Sequence, residues 1–211
     1  MKADRIAIIF ARAPRLGGVK RRLAREIGAR AALRFHIETL TGTLRPLAAD
    51  RRFATVLALT PDRAPFRLPR RVARIPQGRG DLSQRMARAF RRFPRRRAVL
   101  VGSDIPGLGA ADIVAAFHAL GRADAVFGPA ADGGYWLVGM GPRRPAGPFA
   151  AVRWSSPHAL ADTLANFRGR RVALLRLMQD VDTAADLAAI GSAAPRCSTT
   201  TTSAPILVRV G

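Results

Sequence analysis

An α/β domain with a mostly parallel sheet is predicted by two observations. Short aliphatic, β-branched runs recur at residues 5–10, 52–60, 98–102, 123–127, 135–140 and 171–175. Segments with apolar residues near helical spacing stand between most of them. Strands alternating with helices favour crossover connections, which lay strands side by side in one direction.

The elements follow in order. Residues 5–10 read as a buried strand, and the next nine, with Pro14, Gly17 and Gly18, as a loop. Residues 20–27 read as a short helix and 30–44 as a longer one. The strand at 52–60 is closed by Thr60, Pro61 and Asp62. The proline- and arginine-rich stretch 64–76 has room for a short strand at 72–75. Asp81 is placed to cap a helix carrying Leu82, Met86, Ala89, Phe90 and Phe93 on one side, and Pro94 stops it. After the strand at 98–102 comes a helix over 110–120 with an apolar stripe from Ile113 to Leu120. Strands at 123–127 and 135–140 flank a glycine turn, and 141–148 is a loop. Ser156 and Pro157 open a helix to about Phe167, with Pro157 suited to its first position. A strand at 171–175 precedes a last helix over 183–190, capped near Asp182 or Thr183. Neither a repeat nor an interdomain linker interrupts residues 1–190, which read as one domain. Residues 191–211, with the run Ser198 to Ser203, read as a low-complexity, mobile tail, and 206–210 as an edge strand or a disordered end.

Composition bounds the function. The chain has 211 residues, 48% of them hydrophobic, which is ample for a core. Lysine and arginine number 36 against 14 aspartates and glutamates, a net charge of +22. Such a surface attracts polyanions. Yet only Lys2 and Lys20 are lysines, and alanine is abundant, as a GC-rich genome writes wherever a residue need only be polar or small. Codon bias is therefore the main expected source of the charge, which still favours weak, salt-sensitive binding. Cys197 is the only cysteine, so neither an intramolecular disulfide nor a thiolate zinc cluster is available. The apolar stretch from Ile6 to Ala11 is too short for a secretory signal, and no run approaches the roughly 18–20 residues that span a bilayer. A soluble cytoplasmic protein is expected.

Four segments carry candidate chemistry. Asp104 follows the run Ala98 to Gly102 and precedes Ile105, Pro106 and Gly107, so a strand delivers a carboxylate to its tip. It reads as a Mg²⁺ or Mn²⁺ ligand or, more plainly, as a turn former. Asp180 and Asp182 lie two apart, which points both the same way in an extended stretch and offers a second ligand arm; helix capping is the plain alternative for Asp182. In the loop after the first strand, Gly17 and Gly18 let backbone N–H groups approach phosphate oxygens, and Lys20 and Arg22 add charge. Neither a Walker loop nor a dinucleotide fingerprint is present. Asp132, Gly133 and Gly134 form a hairpin-like turn, with Tyr135 and Trp136 next to it. Asp81 and Arg85 share one helix face, as a surface ion pair or a ligand contact. His36, His118 and His158 lack ligand spacing and are read as core or surface residues. Ser103 has no nucleophile-elbow context.

Together with Gln77, Met86, Leu108, Trp154 and Ser155, these segments resemble the radical-SAM/selenodomain-associated transferases over residues 5–190. That family belongs to the nucleotide-diphospho-sugar transferase superfamily, whose members include molybdenum cofactor guanylyltransferase and 2-phospho-L-lactate guanylyltransferase. The resemblance implies a three-layer, Rossmann-like domain of glycosyltransferase-A type. It implies a catalytic Asp104 with Lys20, and nucleotide or phosphate binding by Gly17, Gly18, Lys20, Arg22, Gln77, Asp81 and Arg85. Asp104, Asp180 and Asp182 would hold Mg²⁺ or Mn²⁺, and Asp132, Gly133, Gly134 and Tyr135 would lie at the acceptor pocket. The chain departs from the family at Leu16, where proline is usual, at Arg21, where threonine is usual, and at Ser83 and Gln84, where glycine and glutamate are usual.

The expected function is a metal-dependent transferase using a nucleoside triphosphate or nucleotide-sugar and a small-molecule acceptor, with nucleotidyl transfer favoured over glycosyl transfer. No specific nucleic-acid partner is expected. The alternatives are a non-enzymatic basic polyanion-binding protein and a degenerate transferase that only binds nucleotide.

Overall fold

The computed structural model describes residues 4–192 and 205–211. Cys197 and the Ser/Thr run expected to be mobile lie outside the described residues.

β1 (Arg5–Arg12) is buried on both faces, as a continuous apolar run requires. Its side chains alternate. Ala7 and Ile9 join one core cluster, and Ile6 and Ile8 join the other. β2 (Ala54–Thr60) and β4 (Arg97–Gly102) flank it in parallel, and β3 (Ala73–Pro76) continues the sheet beyond β2. On the other side, β5 (Ala125–Pro129) and β6 (Tyr135–Met140) form a hairpin that inserts β6 antiparallel against β4. β7 (Arg171–Leu174) pairs in parallel with β5. β8 (Ile206–Arg209) closes the order β3-β2-β1-β4-β6-β5-β7-β8 as an antiparallel edge strand, which is the ordered one of the two states open to that segment.

Helices cover both faces and complete three layers. α2 (Ala29–Ala49) and α4 (Ala110–Ala119) pack on one face through Leu40, Leu44, Leu47, Ile113 and Phe117. α3 (Leu82–Arg91) and α5 (Ala159–Ala165) pack on the other through Met86, Phe90, Leu160 and Leu164. Each fully buried leucine or isoleucine contributes roughly 1.5–3 kcal/mol. α1 (Arg21–Ile27) and α6 (Ala184–Ser192) meet at a third, smaller cluster around Leu23 and Val181. Among the described residues, no helix is long and apolar enough to cross a membrane.

Two helices depart from expectation. α2 continues through Pro46, because Leu47 extends the buried line of Leu40 and Leu44 by another turn. Pro46 gives up one i→i−4 hydrogen bond, but it sits in the last turn, so the helix runs only three residues past the interruption. α5 starts at Ala159, not at Pro157. Pro157 is instead packed on the 132–134 turn, so closely that a Cβ on Gly133 would lie 2.3 Å from its carbonyl oxygen.

Gly139 sits mid-strand in β6, in register with Val99 and Val126. An added Cβ would meet Val126 Cγ1 at 2.6 Å and Val99 Cγ2 at 3.0 Å. Gly139→Ala is therefore expected to lose about 1–3 kcal/mol by overpacking. Gly141→Ala, with its nearest neighbour at 3.8 Å, should stay within about 0.5 kcal/mol of wild type. Urea unfolding of both variants checks this, and equal midpoints would refute it.

Candidate functional site

The parallel strands bring their C-terminal tips to one edge: Arg12 is in register with Thr60, and Phe10 with Gly102. Ligands of open α/β sheets bind beyond such tips. Asp104 lies two residues past β4 and meets Lys20 from the loop after β1. Lys20 Nζ is 3.1 Å from Asp104 Oδ2 and 3.0 Å from Asp182 Oδ1. Its side chain is 3% exposed, whereas the two aspartates stay 43% and 46% exposed. The cation is thus enclosed while its partners face solvent. Arg22, at 72% exposure, stands 3.9 Å from Asp182 Oδ2 at the outer rim.

Lys20 also holds its backbone in the left-handed region, at φ 46° and ψ 50°. That conformation costs a non-glycine residue roughly 1–2 kcal/mol. Gly17 makes the preceding turn at φ 71°, and the Gly18 N–H donates to the Arg15 carbonyl at 2.9 Å. The two glycines shape the loop, while Val19 and Lys20 line the cleft. Arg21 is exposed at the start of α1 and does not line it.

His36, read from the sequence as a core or surface residue, is buried beside Asp104. Its Nε2 donates to the Arg12 carbonyl at 3.0 Å. Its Nδ1 lies 3.5 Å from Asp104 Oδ1, longer than a well-formed hydrogen bond, and has no other partner among the described residues. No spacing along the chain announces this contact, since α2 and the tip of β4 are joined only by the fold.

Gln77 is a buried connector. Its side-chain amide donates to the carbonyls of Ala11 at 3.0 Å and Ala58 at 2.7 Å, which ties β1 to β2. Its side-chain oxygen accepts from Arg85 Nη1 at 3.1 Å. Gln77 therefore aims Arg85 along the wall of a cleft of about 240 Å³ that also holds Arg12, Lys20, His36 and Asp104. Asp81 caps α3 by accepting from the Gln84 N–H at 2.8 Å. Its carboxylate does not pair with Arg85, whose Nε donates to the Asp81 backbone carbonyl at 3.3 Å instead.

A second cavity, of about 220 Å³, adjoins the first across Leu82. Asp132, Gly134, Tyr135 and Asp180 line it together with Trp136 and Trp154. Gly133 takes φ 83°, and its carbonyl accepts from the Leu160 N–H at 3.0 Å, so the turn is locked onto α5. Trp154 is oriented by its Nε1–H, which donates to Ser83 Oγ at 2.8 Å.

The three carboxylates expected to share a metal do not converge. Among the described residues, no group of three His, Cys, Asp or Glu side chains is placed to hold a metal ion. Lys20 stands between Asp104 and Asp182. Thr183, not Asp182, exchanges capping hydrogen bonds with Asp186, which leaves the Asp182 carboxylate free for Lys20. Burial, then the charges of Asp132 and Asp182, push the Asp180 carboxyl up.

Burial also pushes the Asp104 carboxyl up, but His36 and Lys20 together outweigh it and hold it at about 2, against 3.8 for a free aspartate. A depressed carboxyl stabilises the fold above the unfolded value, and that stabilisation is lost as pH falls from 3.8 to about 2. Over that window the melting temperature of wild type should fall more steeply than that of Asp104→Asn. Parallel slopes would mean that the ion cluster contributes nothing to stability.

No curated protein matches this chain significantly. Among solved structures, it is similar over nearly all of its length to a protein from Desulfovibrio desulfuricans G20 provisionally designated a nucleotide-diphospho-sugar transferase. The TM-score is 0.83 and the identity 26%, over 97% of this chain and 93% of that one. Two distant structures share the fold. One is 4-diphosphocytidyl-2C-methyl-D-erythritol synthase from Anaerococcus prevotii DSM 20548, with a TM-score of 0.53 and 9% identity over 89% of this chain and 96% of that one. The other is Rv0371c from Mycobacterium tuberculosis H37Rv in complex with manganese, with a TM-score of 0.50 and 18% identity over 88% and 97%. Residues 43–156 match the model of a family described as an uncharacterised protein conserved in bacteria, DUF2064. That span contains Gln77, Arg85, Asp104, the 132–134 turn and Trp154, and the chain belongs to the DUF2064 family.

Proposed function

We propose that this protein is a metal-dependent transferase that takes a nucleotide-bearing donor in the cleft beside Lys20 and Asp104. The observation that carries the reading is the enclosed Lys20 ammonium held between Asp104, past the tip of β4, and Asp182, just before α6. An ammonium and two carboxylates, with Arg12 and Arg85 in the same cleft, suit phosphate groups accompanied by a cation. The designation of the Desulfovibrio neighbour supports the transferase class. Kinship with the radical-SAM/selenodomain-associated transferases is part of this proposal.

Lys20 and Arg85 bind donor phosphates, Gln77 orients Arg85, and Arg22 attracts the donor at the rim. Gly17 and Gly18 keep the loop close to the phosphates, and the Asp81 cap fixes the start of α3. Among the described residues the three carboxylates do not converge, so the fit to Mg²⁺ or Mn²⁺ is that of two hard carboxylate ligands completed by donor phosphates; burial and the charges of Asp132 and Asp182 push the Asp180 carboxyl up, and a cation there would offset those charges. Asp180 with Asp104 or Asp182 would hold the ion, and donor phosphates would complete its coordination. The ion would stabilise charge on the phosphate oxygens and the leaving group.

Nucleotidyl transfer is the favoured version. An acceptor oxygen bonds to the α-phosphorus in line while the bond to the bridging oxygen breaks and pyrophosphate leaves. The acceptor occupies the cavity at Asp132, Gly133, Gly134 and Tyr135. Asp104→Ala should lower the rate on the order of 10³-fold. The first test is thermal stability with nucleoside triphosphates and with UDP-, GDP- and dTDP-sugars, with and without Mg²⁺ or Mn²⁺. A true donor at ~100 times its dissociation constant stabilises by about 2.7 kcal/mol. That shift should require metal and vanish in Asp104→Ala. No shift with any nucleotide would overturn the proposal.

A further inference from the structure

The sheet edge opposite the cleft ends in a level row. Ala98, Met140, Ala125, Val172 and Val208 pair with one another across five strands. One residue further out the row reads Arg97, Gly141, Asp124, Arg171 and Arg209. At the corner of β7 and β8, two loops add cations. The Arg170 side chain donates to the Arg143 carbonyl at 3.0 Å, and the Gly169 N–H donates to the Val210 carbonyl at 2.8 Å. Residue 143 and residues 168–171 therefore meet the end of β8. Arg143, Arg168, Arg171 and Arg209 are all exposed there, and among the described residues none of the four forms an ion pair. The acid of the row, Asp124, accepts from the backbone N–H of Arg171 at 3.0 Å and not from its guanidinium.

The same corner exposes apolar surface. Ile206, Leu207 and Val208 of β8 are 66%, 52% and 43% exposed. β8 is the last strand of the sheet, so among the described residues no strand covers its outer edge. Natural sheets blunt or cover an edge of this kind. Codon usage accounts for arginine in place of lysine. It does not account for three aliphatic side chains set beside four arginines that lack ion pairs. No aromatic side chain is among the large exposed apolar residues described, so the corner lacks the stacking faces that single-stranded nucleic acid uses. A duplex offers phosphates but little that would bury β8.

We infer that this corner docks on the anionic face of a lipid bilayer. The four guanidinium groups meet lipid phosphates, and the aliphatic side chains of β8 enter the boundary between headgroups and acyl chains. Charge and apolar area each strengthen interfacial binding, and here one corner supplies both. The docking is peripheral, since no described helix is long and apolar enough to cross a membrane. β1 runs from Arg5 at this edge to Arg12 at the cleft, roughly 23 Å at the rise of a strand. A protein bound this way keeps its cleft turned away from the lipid. The inference needs neither nucleotide nor metal and stands apart from the proposed function.

The test is sedimentation of the full chain with vesicles of phosphatidylcholine, alone or with ~30 mol% phosphatidylglycerol. The salt is held at about 0.15 M, where charges more than a Debye length of about 8 Å from the surface contribute little. Anionic vesicles should bind the protein, and neutral ones should not. Arg168→Gln, Arg171→Gln and Arg209→Gln combined should lower the partition coefficient about 100-fold. Arg25→Gln, Arg30→Gln and Arg34→Gln combined remove the same charge from exposed positions on α1 and α2, and should lower it less than about 5-fold. Leu207→Gln should lower it about 10-fold. All three variants should keep the wild-type melting temperature. Equal losses in the two arginine variants would overturn the inference, because the charge of the whole chain would then explain the binding. So would failure to bind anionic vesicles, or binding of duplex DNA that the corner variant loses while its vesicle binding stays. A dimer in solution that Leu207→Gln splits, with vesicle binding unchanged, would overturn it too and assign β8 to a second copy of the chain.

Discussion

The site depends on one enclosed cation. An ammonium removed from water is costly unless opposite charges reach it directly. Lys20 meets this condition by touching Asp104 and Asp182 at hydrogen-bond distance. Three segments distant in sequence must therefore arrive together: the loop after β1, the tip of β4 and the stretch before α6. The Lys20 to Asp182 contact alone spans 162 positions. The sheet makes this possible, because parallel pairing of β1 with β4 sets the ends of both strands level. The small cluster of Leu23 and Val181 then holds α1 against α6, just outside the ion pair.

Around that cation the molecule separates two environments. On one side, buried Gln77 joins the tips of β1 and β2 and presents Arg85. On the other, the β5–β6 turn is clamped beneath Pro157 and α5, and aromatic rings supply the walls. Leu82, the first residue of α3, faces both. A fold with helices on both sheet faces leaves little freedom elsewhere, so chemical variety concentrates in these connecting loops.

Much of this was legible in the sequence. β1, β4 and β6 are marked by continuous aliphatic runs, since a strand covered on both faces has no polar side to show. Asp104 was legible because a carboxylate at the end of such a run must leave the core at the sheet edge. Asp81 was visible as a cap, and the structure places it as one. His36 was not legible, because its meaning arises only when α2 packs across the end of β4. Nor was the place of Lys20 between two aspartates, which is a property of three loops and not of any local pattern. Pro157 looked like a helix opener because local propensity cannot register a glycine turn waiting beneath it.

The left-handed backbone at Lys20 sets two demands on one position. Glycine would relax the turn but remove the charge, and any uncharged or acidic side chain would keep strain without the ion pair. The loop thus cannot be improved for robustness and for ligand capture by the same substitution. Glycine at position 20 would also leave Asp104 and Asp182 without their enclosed cation, so selection for heat resistance would set a relaxed turn against two lost ion pairs. Selection for turnover would hold lysine and leave the loop a locally frustrated spot that the surrounding α/β scaffold must carry.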